Sequence, residues 1–149
     1  MEDQTPTLSS RLSAVLDNSP HCETRVSKAW MFDSNIVYVI CKDNADITLE
    51  DAIEDMAASE MMRKNIVEWA IVIDMKNVNS ISKEAREYYS KYQDETQHNV
   101  GVALIAKSVF TRVIANFFIG FEKHSSPFKV FNSEELALEW IIEKFPQNK

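Results

Sequence analysis

Polar and charged residues gather where the apolar runs of this chain end. Asp43 follows Ile36–Cys41. Asp74, Asn77, Ser80, Ser82, Lys83 and Arg86 close or follow the run that begins at Trp69. Lys107, Ser108 and Arg112 follow Val100–Ala106, and Asn132 and Ser133 follow Phe128–Phe131. If each run is a parallel strand, these residues share the carboxyl-end rim, where α/β folds place ligands beside helix N-termini. Helix starts at Ser82, Ser108 and Asn132 would offer unpaired backbone N–H groups there. Lys83, Arg86, Lys107 and Arg112 would add positive charge, so Ser82, Lys83, Arg86, Lys107, Ser108 and Arg112 form a candidate contact for an anion or a partner. The plainer account is that the hydroxyls cap helices and the basic residues are solvated or pair with Glu84 and Glu87.

Catalytic arrangements are missing from the pattern. His21, His98 and His124 lie far apart, and none stands at a recognisable spacing from an acid or nucleophile. No strand-turn-helix serine elbow and no zinc-binding histidine pair occurs. Gly101 and Gly120 are the only glycines, so neither a dinucleotide-binding nor a nucleotide-triphosphate loop can be built. Asp74 resembles a buried functional carboxylate, although a strand-end aspartate more commonly accepts loop N–H groups. The acidic run Glu50, Asp51, Glu54 and Asp55 lacks the ligand spacing and central glycine of a calcium loop, and reads as a solvated helix face. The expectation is no catalytic residue, no metal and no cofactor.

The 149 residues suffice for one domain with a real core, and the 45% hydrophobic and 26% charged content is ordinary for a globular chain. A net charge of −7 argues against a general nucleic-acid or anionic-membrane binder. No apolar run approaches the roughly 20 residues of a membrane span, and the N-terminus lacks the basic start and apolar core of a signal peptide. A cytoplasmic location is the default. Cys22 and Cys41 give no metal spacing. Pairing residues 24–32 with 35–41 about Asp33-Ser34 would set Cys41 opposite residues 26 to 28 and leave Cys22 out of reach, so both are expected as free thiols.

The elements that position these residues follow from periodicity. Residues 1–21 are a tail or a short helix, with Leu8, Leu12, Val15 and Leu16 at helical spacing. A hairpin covers 24–41, its second strand apolar on both faces as an inner strand requires. A helix over 49–64 begins at a Thr48–Asp51 capping box and carries Leu49, Ile53, Met56, Ala57 and Met61 as its apolar stripe. Strand 69–75 leads to helix 83–95, whose inward face holds Ala85, Tyr88, Tyr89 and Tyr92, with Glu87 and Lys91 paired outside. Strand 100–106 leads to a helix over 109–119. Strand 128–131 leads to helix 133–144, capped by Asn132 with Glu135, stapled by Phe131 and Leu136, and burying Leu136, Ala137, Trp140 and Ile141. Strands followed by helices, with crossovers long enough for parallel pairing, imply one α/β domain over 22–149. Its sheet is mostly parallel, of about five strands with four helices and the first strand antiparallel.

The segment from Val109 to Phe121 is more apolar around its circumference than a helix covering one side of a sheet requires. Phe110, Ile114, Phe117, Phe118 and Phe121 therefore mark an apolar pocket wall or a dimer face.

This order of elements resembles the STAS domain of bacterial anti-sigma-factor antagonists and sulfate-transporter tails, over residues 24–145. In that family a strand and short loop lead to Asp-Ser-Ser-Gly-Leu at a helix start, and a partner kinase phosphorylates the second serine. Here Ile71-Val72-Ile73-Asp74-Met75 is the strand, Ser82 falls at the motif's aspartate, Lys83 at the first serine, Glu84 at the phosphorylated serine and Ala85 at the glycine. Glu84 cannot be phosphorylated, so the resemblance does not imply that switch. The chain is also similar to a group of uncharacterised stand-alone bacterial domains of the STAS-like, CRAL-TRIO-like superfamily. It shares with them Ser82-Lys83-Glu84-Ala85-Arg86, a helix running Arg112-Val113-Ile114-Ala115-Asn116-Phe117-Phe118, and Phe131 with Glu134-Glu135 and Trp140 at the end. The implied function is a non-catalytic regulatory or protein-interaction domain, expected as a homodimer. The alternative is a domain that binds a small apolar or lipid-like ligand.

Overall fold

The structure, a computed structural model, describes residues 6–95, 99–107, 112 and 127–144. Helix α1 (Leu8–Asn18) starts at Thr7, whose hydroxyl accepts the Ser10 N–H at 3.0 Å. Strands β1 (Cys22–Glu23), β2 (Ser27–Phe32) and β3 (Ile36–Cys41) are antiparallel neighbours. Phe32 pairs with Ile36 across the three-residue loop Asp33-Ser34-Asn35, and Asp33 takes a left-handed φ of 56° that aspartate tolerates. Cys41 lies opposite Ser27, and both cysteines are free thiols, as the register argument required.

Strands β5 (Trp69–Asp74), β7 (Asn99–Ile105) and β8 (Phe128–Phe131) continue from β3 in parallel, giving the order β1-β2-β3-β5-β7-β8. The mostly parallel α/β sheet with antiparallel first strands is the expected architecture, with the two-residue β1 added at its edge. A second, two-stranded sheet was not foreseen. Strands β4 (Asp46–Ile47) and β6 (Ser80–Ile81) pair in parallel, joining the loops that leave β3 and β5.

Side chains alternate strictly across the main sheet, as a strand period of two dictates. Trp69 and Ile71 face helices α2 (Leu49–Met62) and α3 (Lys83–Glu95), in a core that includes Ala52 and Ala85. Ala70 and Val72 face α1 and α4 (Glu134–Lys144), in a core that includes Leu12, Leu138 and Ile141. Burial on both faces explains why β3, β5 and β7 read as unbroken apolar runs.

Two helices depart from their expected settings. In α4 the cap is Ser133, whose hydroxyl accepts the Leu136 N–H at 3.2 Å, and not Asn132. Ala137 and Ile141 are buried and Trp140 packs against the same core as expected, but Leu138 is buried there and Leu136 is half exposed. In α2 the capping box of Thr48 and Asp51 is present, but Ile53 and Met61 point outward at 45% and 77% exposure. On α3, Ala85, Tyr88 and Tyr89 pack inward as expected, and Glu87 pairs with Lys83 at 3.9 Å. The Tyr92 side chain, the expected helix 109–119 apart from Arg112, and the apolar set Phe110, Ile114, Phe117, Phe118 and Phe121 lie outside the described residues.

The segment before β1 settles on the domain through α1. Leu12 is 7% exposed in the core with α4, and Arg11 pairs with Asp33 at 2.5 Å. Leu12→Ala should therefore cost about 2–5 kcal/mol, the range for emptying a buried leucine site. Urea unfolding would measure it, and a loss below about 0.5 kcal/mol, the range of surface substitutions, would mean that α1 contributes no core.

Candidate functional site

Helix α2 turns a polar line toward the sheet. Asp51, Asp55, Ser59 and Arg63 recur every fourth residue, which places them on one face. Asp51, Ser59 and Arg63 are buried and Asp55 partly so. The acidic face read as solvated is thus directed inward at two of its four positions. The cause lies in the chain between β1 and β2. Thr24 folds back on itself there, its hydroxyl accepting the N–H groups of Val26 and Ser27. That turn presents hydroxyls and the Arg25 guanidinium to α2, where they need acceptors.

Each polar group on the line finds a different partner. Arg25 grips Asp51 with two guanidinium nitrogens, Nε at 2.8 Å from Oδ1 and Nη2 on Oδ2, and its Nη2 also reaches the Asp46 carbonyl at 2.8 Å. That ion pair, then the Thr48 N–H and hydroxyl, hold the Asp51 carboxyl down at about 2. Asp55 accepts from the Thr24 hydroxyl at 2.6 Å and the Ser27 hydroxyl at 3.1 Å on one oxygen, and from the Tyr89 hydroxyl at 3.3 Å on the other. Burial nonetheless pushes the Asp55 carboxyl up, because all three donors are neutral and none matches the lost hydration. Burial raises the Tyr89 phenol as well, with the charge of Asp55 adding to it. Arg63 donates to the Ser59 hydroxyl at 3.0 Å and stacks its guanidinium over Trp69, 3.7 Å from the ring centroid.

A polar helix face cannot interdigitate with an apolar sheet, and a cavity of about 120 Å³ remains between them. All six strands of the main sheet contribute to its walls, through residues such as Ala29, Val39, Ile71, Leu104 and Phe128, and Met56 and Tyr89 line it from the helices. The lining is overwhelmingly apolar; Thr24, Ser27, Asp55 and Cys22 cluster at the β1–β2 end, with Tyr89 bonded to Asp55 and Ser59 one turn further along α2. Cys41 also lines it, and burial lifts that thiol well above its ordinary range, which keeps it uncharged and a poor nucleophile. An apolar cavity of roughly 150 Å³ stays dry and takes up benzene-sized molecules, so this one is large enough to hold part of a small ligand. Among the described residues no group of acids, histidines or cysteines could hold a metal ion.

Several residues of the expected rim make structural bonds. Ser82 caps α3, accepting the Ala85 N–H at 3.1 Å, and exposed Glu84 stands in the first turn. Arg86 donates to the Ile81 carbonyl at 2.8 Å, and Arg112 to the Ala106 carbonyl at 3.2 Å, so each guanidinium secures a strand end. Lys83 pairs with Glu87, and Lys107 is exposed. Ser108 lies outside the described residues. Asp74 accepts the Lys76 N–H at 3.1 Å, the loop-holding role expected of it, and Lys76 Nζ bridges Asp74 and Glu134. The loops themselves are clamped. Asn44 N–H meets the Asn77 carbonyl, Asn79 N–H meets Ala45, and Asp46 accepts from Asn79 and Ser80 side chains. Asp55, Tyr89, Thr24 and Ser27 were absent from the expected site; the i, i+4 recurrence of polar residues along α2 was the one signal that could have pointed to them.

With the geometry in place, the fold can be classed. The chain is similar to an uncharacterised protein of the DUF3478 family with a SpoIIAA-like fold from Shewanella loihica PV-4. The identity is 18%, covering 81% of this chain and 90% of that one, at a TM-score of 0.57. That likeness carries the fold, a STAS-like one, and nothing more. A family profile for a domain of unknown function, DUF7793, matches residues 30–144, and the chain belongs to that family. No curated protein matches it.

The two aspartates make opposite pH predictions. Asp51 binds its proton less tightly folded than unfolded, so its stabilisation is present above about pH 4 and is lost as pH falls through about 2. Asp55 binds its proton more tightly folded, so its ionisation destabilises the native state, fully so at pH values above its folded pKa. Asp55→Asn should therefore melt above the wild type at neutral pH, with the margin shrinking toward about pH 4. Thermal melts across that range would show it, and a pH-independent margin would mean that the carboxylate is well solvated.

Proposed function

We propose that this STAS-like domain is non-catalytic and binds a small apolar or lipid-like molecule between its sheet and the helices α2 and α3. The observation that carries this reading is the cavity, apolar along its length and polar at one end. That is the usual composition of a small-molecule site, a hydrophobic lining with a few groups that fix orientation. Its position differs from the one expected beside the phenylalanine-rich segment, whose apolar set lies outside the described residues. Ile71, buried in the centre of the cavity wall, gives the test. Protein purified without denaturation should carry a non-covalent adduct in native mass spectrometry, and Ile71→Phe, which fills the space, should lose it. An adduct retained undiminished by the folded variant would remove the cavity as the binding place.

A second observation favours protein contacts in a regulatory setting. Ile53, Ala57 and Met61 form an exposed stripe on the outer face of α2, all three outside the core. Exposed apolar faces of this kind commonly meet a partner or a second copy. If they join two copies, light scattering should show a mass that rises with concentration, and Ile53→Glu with Met61→Glu should leave a monomer at every concentration. A wild-type monomer throughout would reject self-association.

A further inference from the structure

Among its described lining residues the cavity holds one carboxylic acid and no lysine, arginine or histidine. Asp55 is that acid. Every hydrogen bond it receives comes from a neutral hydroxyl: Thr24 and Ser27 from the β1–β2 turn, and Tyr89 from α3. From β3 it is faced by the Cys41 thiol, which is uncharged. Asp51, one turn back on α2, has the same sign and is already gripped by Arg25. Arg63 lies two turns on, about 12 Å along the helix by its rise per residue, and is held by Ser59 and the face of Trp69. A partly buried carboxylate without a cation in contact is costly, and a ligand that brought one would relieve that cost.

We infer that the ligand carries a cationic head, an alkyl- or arylalkyl-ammonium group, seated against Asp55, with its apolar portion laid along the sheet. This rests on the cavity being the binding place. An ammonium group donates three N–H bonds. Oδ2 of Asp55 receives only the long Tyr89 contact among those described, and a carboxylate oxygen can accept a second donor. A carboxylate or phosphate head, by contrast, would meet Asp55 with no positive side chain to offset the repulsion. The polar cluster also sits at the β1–β2 edge while Phe128 and Val102 line the far side, so a linear amphiphile has one orientation.

Three probes of one chain length separate head from tail: octylamine, octanol and octanoate, each below its aggregation threshold at pH 7. Trp69 lines the cavity and reports occupancy through its fluorescence. Octylamine should bind about tenfold more tightly than octanol, because a charge-assisted hydrogen bond is roughly twice as strong as a neutral one, and octanoate most weakly. Asp55→Asn should bring octylamine to the level of octanol and leave octanol unchanged. Equal binding of amine and alcohol, or octanoate tightest, would overturn the cationic head while leaving the apolar cavity in place. Failure of all three to bind at millimolar concentration would overturn the cavity reading and the inference with it. The order among the three probes in the unaltered protein decides the matter even if Asp55→Asn does not fold.

Discussion

The orientation of α2 governs most of what is distinctive here, and the bond between Arg25 and Asp51 sets that orientation. The pair joins the β1–β2 turn to the first turn of the helix, and Asp51 is 5% exposed, so loss of Arg25 would leave a buried charge without its counterpart. Once Asp51 faces inward, the four-residue recurrence carries Asp55, Ser59 and Arg63 the same way. Three consequences follow together. The polar groups find partners in Thr24, Ser27, Tyr89 and Trp69, the cavity stays unfilled beside them, and the apolar residues Ile53 and Met61 are left facing outward.

A second constraint acts on the loops at the carboxyl ends of β3 and β5. The β4–β6 ladder, the Asp46 contacts and the Ser82 N–H to Ile47 carbonyl bond tie both loops into one unit. At the end of this unit, exposed Glu84 stands in the first turn of α3, where its charge suits the N-terminal end of a helix. Arg86 and Arg112, expected as anion contacts, each donate to a strand-end carbonyl.

Sequence patterns exposed the elements far better than their rotation. Helix 83–95 and strand 128–131 match residue for residue, because a hydroxyl cap, a proline and clear apolar periods mark them. The α2 start was equally legible from Thr48 and Asp51, while its end falls at Met62, two residues short of the expected 64. Its buried face was not, since the apolar stripe Ile53, Ala57 and Met61 pointed to the wrong side. Local amphipathicity assumes that water is the better home for a carboxylate, and that fails when a distant turn supplies donors. Asp51 is 26 residues from Arg25, and Asp55 is 31 from Thr24. The two-residue strands β4 and β6 are too short to carry any period. In α4 Asn132 and Ser133 are both good cap acceptors, so the cap was misplaced by one residue while Ala137, Trp140 and Ile141 were rightly read as inward. The cavity itself leaves no trace in sequence, because empty space is decided by how whole surfaces fit.

Helix α1 is the earliest described element in the chain, yet it leans on α4, the latest. Leu12 shares a core with Leu138 and Ile141, and Ser9 reaches Glu135 across 126 residues. Contacts of such separation cannot form until nearly the whole chain is available. During synthesis α1 must wait, its apolar stripe unsheltered, while the sheet assembles behind it and the final helix emerges. The first described helix is among the last to find its place, and its docking joins the two ends of the described fold.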